Sequence, residues 1–173
     1  MTTVTIPTLE TPRLVLRAPQ AGDFADYAAL LASGRAAFLR GPFDRTAAWT
    51  DYCVNIAEWV LHGVGPFVVI ERAARRFAGL VGVSRHPACP EPEMGWIVTG
   101  ASEGRSVAFE AASRLRDWAF ADAGLPTLVS YIVRGNIRGE RLALRLGATL
   151  DTNAQAPSPD TRVYRYCAER TLA

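Results

Sequence analysis

Residues 93–147 constrain what this chain can fold into more than any other stretch. Glu93–Thr99 reads as a strand, and Glu103-Gly104-Arg105-Ser106 lies in a short polar loop. Val107–Ala123 follows as an amphipathic helix, Thr127–Val133 as a second apolar strand, and a further helix opens at Asn136. A strand, a phosphate-sized loop, a helix and a parallel strand make one crossover unit, right-handed by rule. Such a unit aims the free N–H groups of the helix start at an anion and places a ligand at the carboxyl ends of its strands.

The rest of the chain supplies the surroundings of that unit. Residues 1–12 are a Thr/Pro-rich lead-in with neither a basic region nor a long apolar run, so no signal peptide is expected. Arg13–Arg17 is a short strand with Leu14 and Leu16 on one face. Asp23 is expected to cap a helix in which Phe24, Tyr27, Ala28 and Leu31 repeat at helical spacing. A second helix runs from about Thr46 to His62. Its Trp49, Tyr52, Cys53, Ile56, Ala57 and Val60 make a stripe expected to pack on a sheet or wall a substrate cleft. Phe67–Ile70 and Phe77–Arg85 are strands joined by a turn at Arg72–Arg75, and Pro87, Pro90 and Pro92 shape the loop after them. The tail gives a strand at Ala148–Asp151, a polar loop at Asn153–Asp160 and a last strand at Arg162–Cys167. No repeat or linker interrupts the chain, so one domain over residues 1–173 is expected.

Composition narrows the function. A net charge of +2 gives no reason to expect nucleic acid, and no apolar run reaches the ~18 residues of a membrane helix. All 19 basic residues are Arg, which excludes a Schiff-base lysine and a P-loop lysine. Cys53, Cys89 and Cys167 are far apart and lack zinc spacing, so no metal is expected and a reducing cytoplasm fits. Cys53 is expected in the core. His62 and His86 have no partner at metal-ligand spacing.

The run Glu93-Met-Gly-Trp-Ile-Val-Thr-Gly-Ala-Ser-Glu-Gly-Arg-Ser-Val-Ala-Phe-Glu-Ala resembles the acyl-CoA-binding motif of the GCN5-related N-acetyltransferases (GNAT). Thr11–Arg17 resembles the first strand of their ribosomal-protein-acetylating branch. Asn136–Ala148 resembles the helix that follows the motif, opened by Asn and closed by Leu-Gly-Ala. The resemblance implies an α+β fold: a mixed, mostly antiparallel sheet of about six to seven strands, a splayed parallel pair at its centre, and about four helices. It also implies acetyl-CoA as cosubstrate and direct transfer to a primary amine, either a small molecule or a protein N-terminus, by a cytoplasmic monomer or homodimer.

The resemblance further implies roles. Glu103, Gly104, Arg105, Ser106, Val107 and Ala108 would hold the diphosphate, chiefly through backbone N–H groups. Glu103 stands where the family has Gln or Arg, and is expected to point outward with Arg105 compensating; Ser106 stands where it has Gly. A freed N–H at Ile97 or Val98 would polarise the thioester carbonyl. Asn136 would bond the pantetheine arm, cap its helix, or do both. Glu93 is the candidate base, with Glu91 as fallback, and Arg138 with its neighbours Arg134 and Arg141 could meet the 3′-phosphate. Trp49, Tyr52 and Trp59, with the loops at Gly34–Asp44 and Pro87–Pro92, are expected beside the acceptor, and Tyr131 near the reacting atoms. The family's acid positions are occupied by Gly139 and Ala143, which favours water, Tyr131 or no acid at all. A catalytically weak acyl-CoA-binding module is the alternative; a Rossmann domain would need repeated units that are missing.

Overall fold

The computed structural model describes residues 4–168. Met1–Thr3, assigned above to the lead-in, lie outside the described residues. Eight strands form one sheet: β1 (Leu9–Glu10), β2 (Leu14–Arg17), β3 (Pro66–Glu71), β4 (Arg76–Ser84), β5 (Glu93–Val98), β6 (Leu128–Val133), β7 (Thr149–Leu150) and β8 (Thr161–Tyr166). Their spatial order is β1-β2-β3-β4-β5-β6-β8-β7, antiparallel throughout except for β5 and β6. The helices are α1 (Phe24–Leu31), α2 (Arg45–His62), α3 (Val107–Ala121) and α4 (Ile137–Arg145). The added strand is β1, two residues of the lead-in paired to β2 through Leu9↔Leu16.

The sheet is covered on both faces. Ala111, Leu115, Trp118 and Ala119 of α3 pack on the side of Leu14, Leu16 and Val81. Tyr27 and Leu31 of α1, with Ala48 and Tyr52 of α2, pack on Val68 and Leu80 on the other side. Trp59 anchors the end of α2: its Nε1–H donates to the Pro66 carbonyl at 2.9 Å, and its ring meets Phe67 and Trp118. That anchor sets which way the rest of α2 faces.

Two helix expectations are corrected. Asp23 precedes α1 but its carboxylate does not cap it; it accepts from the Gln20 N–H and pairs with Arg17 at 2.7 Å. The buried residues of α2 are Ala48, Tyr52, Glu58 and Trp59, while Trp49, Cys53 and Val60 are exposed. At 3.6 residues per turn the expected apolar stripe is centred roughly 110° around the helix from that buried face. Cys53 is on the surface rather than in the core.

Candidate active site

The parallel pair comes apart almost as soon as it forms. One residue pair, Glu93↔Val129, joins β5 to β6, supported by the Val129 N–H donating to the Pro92 carbonyl at 3.0 Å. At Met94 the ladder has already failed, and the Ser130 hydroxyl, not a backbone amide, donates to the Met94 carbonyl at 2.6 Å. The Tyr166 hydroxyl lies 3.0 Å from the same Ser130 oxygen and holds it in place. Backbone groups alternate sides along a strand. The Met94 carbonyl faces β6 and the Thr99 N–H bonds Ala78 next to β4. Trp96 and Val98 thus direct their N–H groups into the opening, and Ile97 directs its own toward β4. Of the two amides expected to be free, only that of Val98 is on the right side.

Beyond the splay is a cleft of about 320 Å³, walled by β5, the start of α3 and the start of α4. Trp96, Ile97, Val98, Glu103, Gly104, Ser106, Val107, Ala108, Asn136 and Arg138 all line it. Gly104 has φ +73° and Ser106 φ +60°. Left-handed backbone on both sides of Arg105 curls the loop so that the N–H groups opening α3 face the cleft, the geometry that holds anions. Ser106 is thus in a conformation that glycine adopts without strain and serine does not.

The charges of the loop are arranged differently from the sequence expectation. Arg105 turns away, pairing at 2.9 Å with buried Glu71, which also accepts from the Ser102 hydroxyl. Glu103 is bridged instead by Arg35 (2.6 Å) and Arg138 across the cleft mouth, which holds its carboxyl below the usual range. Arg35 also donates from Nε to the Val98 carbonyl, and Arg145 stacks 3.9 Å over the Phe109 ring at the cleft edge. Arg35 and Arg145 were not foreseen: Arg35 comes from a short 3-10 helix, Gly34–Leu39, more than 50 residues upstream, with no motif around it.

A second cavity of about 400 Å³ occupies the α2 side of β5 and shares Leu39, Trp96 and Ile97 with the cleft. The two spaces meet where β5 leaves β6. Glu93, Gly95 and Ile97 form part of its floor, and Asp51, Val54, Asn55 and Glu58 of α2 its wall. Burial is the main cause of a Glu93 carboxyl raised above the ordinary range; the Cys89 thiol, 3.6 Å from Oε2, and the Tyr131 N–H offset part of it. Burial and the Glu93 charge push the Cys89 thiol up to about 11, so it is neutral and no nucleophile at pH 7. Glu91 is unsuited to act as base, since Arg165 and Thr127 hold its carboxyl below the usual range.

Three expected acceptor contacts are displaced. Tyr52 is buried with its hydroxyl on the Gln20 carbonyl, Trp49 packs edge-on against Phe24, and neither lines the cavity. The Tyr131 hydroxyl accepts from the Glu91 N–H at 3.1 Å, outside both spaces. Asn136 caps α4, its side-chain oxygen accepting from the Gly139 N–H at 3.0 Å. A Cβ at Gly139 would be 2.7 Å from the Asn136 amide nitrogen, so a larger residue there would have to shift the capping side chain. Ala143 is fully buried in the core, so no side chain at that position reaches the cleft without repacking. Among the described residues no His/Cys/Asp/Glu group could hold a metal, and no helix is long and apolar enough to cross a membrane.

A mixed sheet with a splayed parallel pair and an amide-lined loop at its mouth defines an acyl-CoA-binding class of fold. The family model for the acetyltransferase (GNAT) domain matches residues 13–149, and the chain belongs to that family. An acetyltransferase from Agrobacterium tumefaciens is 39% identical, with 97% of this chain and 98% of that one covered at a TM-score of 0.90. A GnaT-family acetyltransferase from Bordetella pertussis is 25% identical, with 92% and 98% covered at 0.76. A ribosomal-protein-serine acetyltransferase from Vibrio cholerae also shares the fold, at 19% identity, 96% and 100% coverage and a TM-score of 0.76. Acyl-CoA-dependent acyl transfer is the general activity of the family.

Proposed function

We propose that this protein transfers an acetyl group from acetyl-CoA to a primary amine by direct attack in a ternary complex. The observation that carries the reading is the meeting of two cavities at Trp96–Ile97, one walled by anion-binding backbone and Arg, the other by carboxylates. The residues fit the cosubstrate. The Gly104–Ala108 amides and Arg138, with Arg35 and Arg145, suit the phosphates; the splay suits the pantetheine arm; and Asn136, while capping α4, borders its path. Bound acetyl-CoA supplies the thioester. Glu93 takes the ammonium proton, directly or through water. The amine nitrogen bonds to the carbonyl carbon, the Val98 N–H donates to the oxygen as it gains charge, the C–S bond breaks, and the proton still held in excess by nitrogen passes to the departing sulfur or to water. The thiolate leaves without a dedicated acid, since an alkyl thiolate is a weak enough base, with a thiol pKa of ~8.5 for cysteine. Three cysteines without a disulfide suit a reducing cytoplasm.

Gly95 provides the direct test. It lies between Glu93 and Ile97 on the cavity floor, and a Cβ there would meet nothing within 4 Å. Gly95→Val therefore projects methyl groups into the acceptor cavity from an open position, with circular dichroism checking the fold. Acetyl-CoA affinity by calorimetry should stay near wild type, while thiol release with an amine panel should fall by about 10²-fold or more, as expected for a misplaced nucleophile. Equal turnover by Gly95→Val and wild type would put the acceptor elsewhere. Unchanged thiol release from acetyl-CoA with and without amines, in the wild type, would favour the binding-module alternative.

Glu103→Gln probes the other side. Arg35 and Arg138 would keep their charge while one competing anion is removed from the mouth. CoA should bind several-fold tighter at low salt, and the gain should fade as ionic strength rises.

A further inference from the structure

Among the described residues, Asp23, Glu58 and Glu71 are the acids with less than a tenth of their surface exposed. Asp23 is neutralised by Arg17, and Glu71 by Arg76 and Arg105. Glu58 differs. It is 6% exposed, yet its oxygens accept only from neutral donors, the Ser84 hydroxyl at 3.3 Å and the Arg85 backbone N–H at 2.8 Å. No ion pair among the described residues includes it. A buried carboxylate is ordinarily paired with a cation, because removing a charge from water is costly. Glu58 lines the acceptor cavity, so its counter-charge can arrive with the acceptor.

The surroundings indicate the shape of that acceptor. Ser84, which bonds Glu58, is the register partner of Glu93, so the two carboxylates flank one cross-strand pair on the cavity floor. Asp51, seven residues earlier on the same face of α2, stands about 10 Å farther along the helix axis. It too is held by neutral donors, the Tyr27 hydroxyl and the Asn55 amide at 2.9 Å. Between the acids the lining is aliphatic, with Val54, Leu31 and Leu80, and its only basic side chain is His86. An acidic or neutral acceptor would leave these charges uncompensated. A chain of methylenes ending in a second ammonium would match both the charge and the apolar stretch.

We propose that the acceptor is a flexible aliphatic amine carrying at least one further cationic nitrogen, which Glu58 and Asp51 bind while Glu93 serves the nitrogen that is acetylated. This rests on the acetyltransferase reading above and adds the substrate class. The test compares thiol release from acetyl-CoA with 1,4-diaminobutane, longer α,ω-diamines, butylamine and a neutral tripeptide with a free N-terminus. The diamines should exceed butylamine in kcat/KM by at least about 20-fold, chiefly through KM, because the second charge is paired in a desolvated site. Glu58→Gln and Asp51→Asn should each cut that ratio sharply, with circular dichroism checking the fold. Asp51, half-buried, serves where the Glu58 variant does not fold. Butylamine or tripeptide turned over as well as the diamines, or a ratio unmoved in both variants, would overturn the diamine assignment and leave the transferase standing. Acetyl-CoA bound with no amine accepted would overturn both.

Discussion

Replacing Glu93 with Gln should lower kcat/KM for acetyl transfer by about 10²–10⁴-fold, the usual worth of a positioned proton acceptor. The exchange keeps the side chain's size and its place opposite Cys89, and removes only the ability to take a proton. Acetyl-CoA binding should be unaffected, because Glu93 lines the acceptor cavity and not the cleft. The wild-type rate should rise with pH as the Glu93 carboxyl ionises, and burial moves that acid limb above the ordinary carboxylate range. Glu93→Gln should lack this limb and keep only the higher one set by the amine, near ~7.7–8.0 for an α-amine or ~10.4 for an alkyl amine. A variant retaining half the wild-type rate would remove Glu93 from the mechanism.

The same carboxyl works against stability. Its folded-state pKa is raised, so between the unfolded value and the folded one the folded state binds more protons than the unfolded chain. Stability from this group is present at low pH, declines as pH rises through that window, and is absent above it. At neutral pH the native protein carries a carboxylate that burial disfavours. Glu93→Gln should consequently raise Tm at pH 7–8 and lose that advantage in acid. Higher stability with lost activity is the pattern of a functional group held in an unfavourable environment. Equal Tm values at both pH values would mean that the group is better solvated than its surroundings suggest.

What could be seen in the chain and what could not divide along a physical line. The path β5–loop–α3–β6–α4 is contiguous, and each element carries its own signal: apolar runs, a glycine turn, helical spacing, an Asn cap. Those elements and the parallel pairing agree with the structure to within a few residues. The α2 wall of the second cavity was not legible because it is polar. A periodicity argument assigns Asp51, Asn55 and Glu58 to solvent, when they face a cavity. The Glu103 clasp was misjudged because it depends on Arg35 and Arg138, far apart in the chain, and because buried Glu71 draws Arg105 away. Ser106 gave no hint of its positive φ, since serine rarely adopts it. β1 is two residues long and held by tertiary pairing, too short for any local pattern to register.

Gly79→Ala should be the most damaging single-methyl change in the sheet. β4 carries a bulge here: Val69 pairs with Gly79 and Ile70 with Phe77, leaving Ala78 without a β3 partner. The bulge brings the Gly79 backbone against β5, at φ +146°. A Cβ would sit 2.1 Å from the Ile97 carbonyl oxygen and 2.7 Å from the Val98 Cα. Both are main-chain atoms, so no rotamer change relieves the clash, and the backbone angle is one that L residues rarely adopt. Either β4 straightens or β5 moves away at the Gly79↔Val98 pair. The first loses the bulge; the second displaces the Val98 amide and the strand end that walls the cleft. Bulges recur beside active sites for this kind of re-aiming. Destabilisation of at least ~3 kcal/mol is expected, together with a Tm lower by roughly 6–12 °C and weakened acetyl-CoA binding in whatever fraction folds. Gly95→Ala is the matched control in the next strand, where open space predicts an unchanged or higher Tm. Equal Tm values for the two alanine variants would show that β4 does not press on β5 at the point where β5 leaves its parallel neighbour.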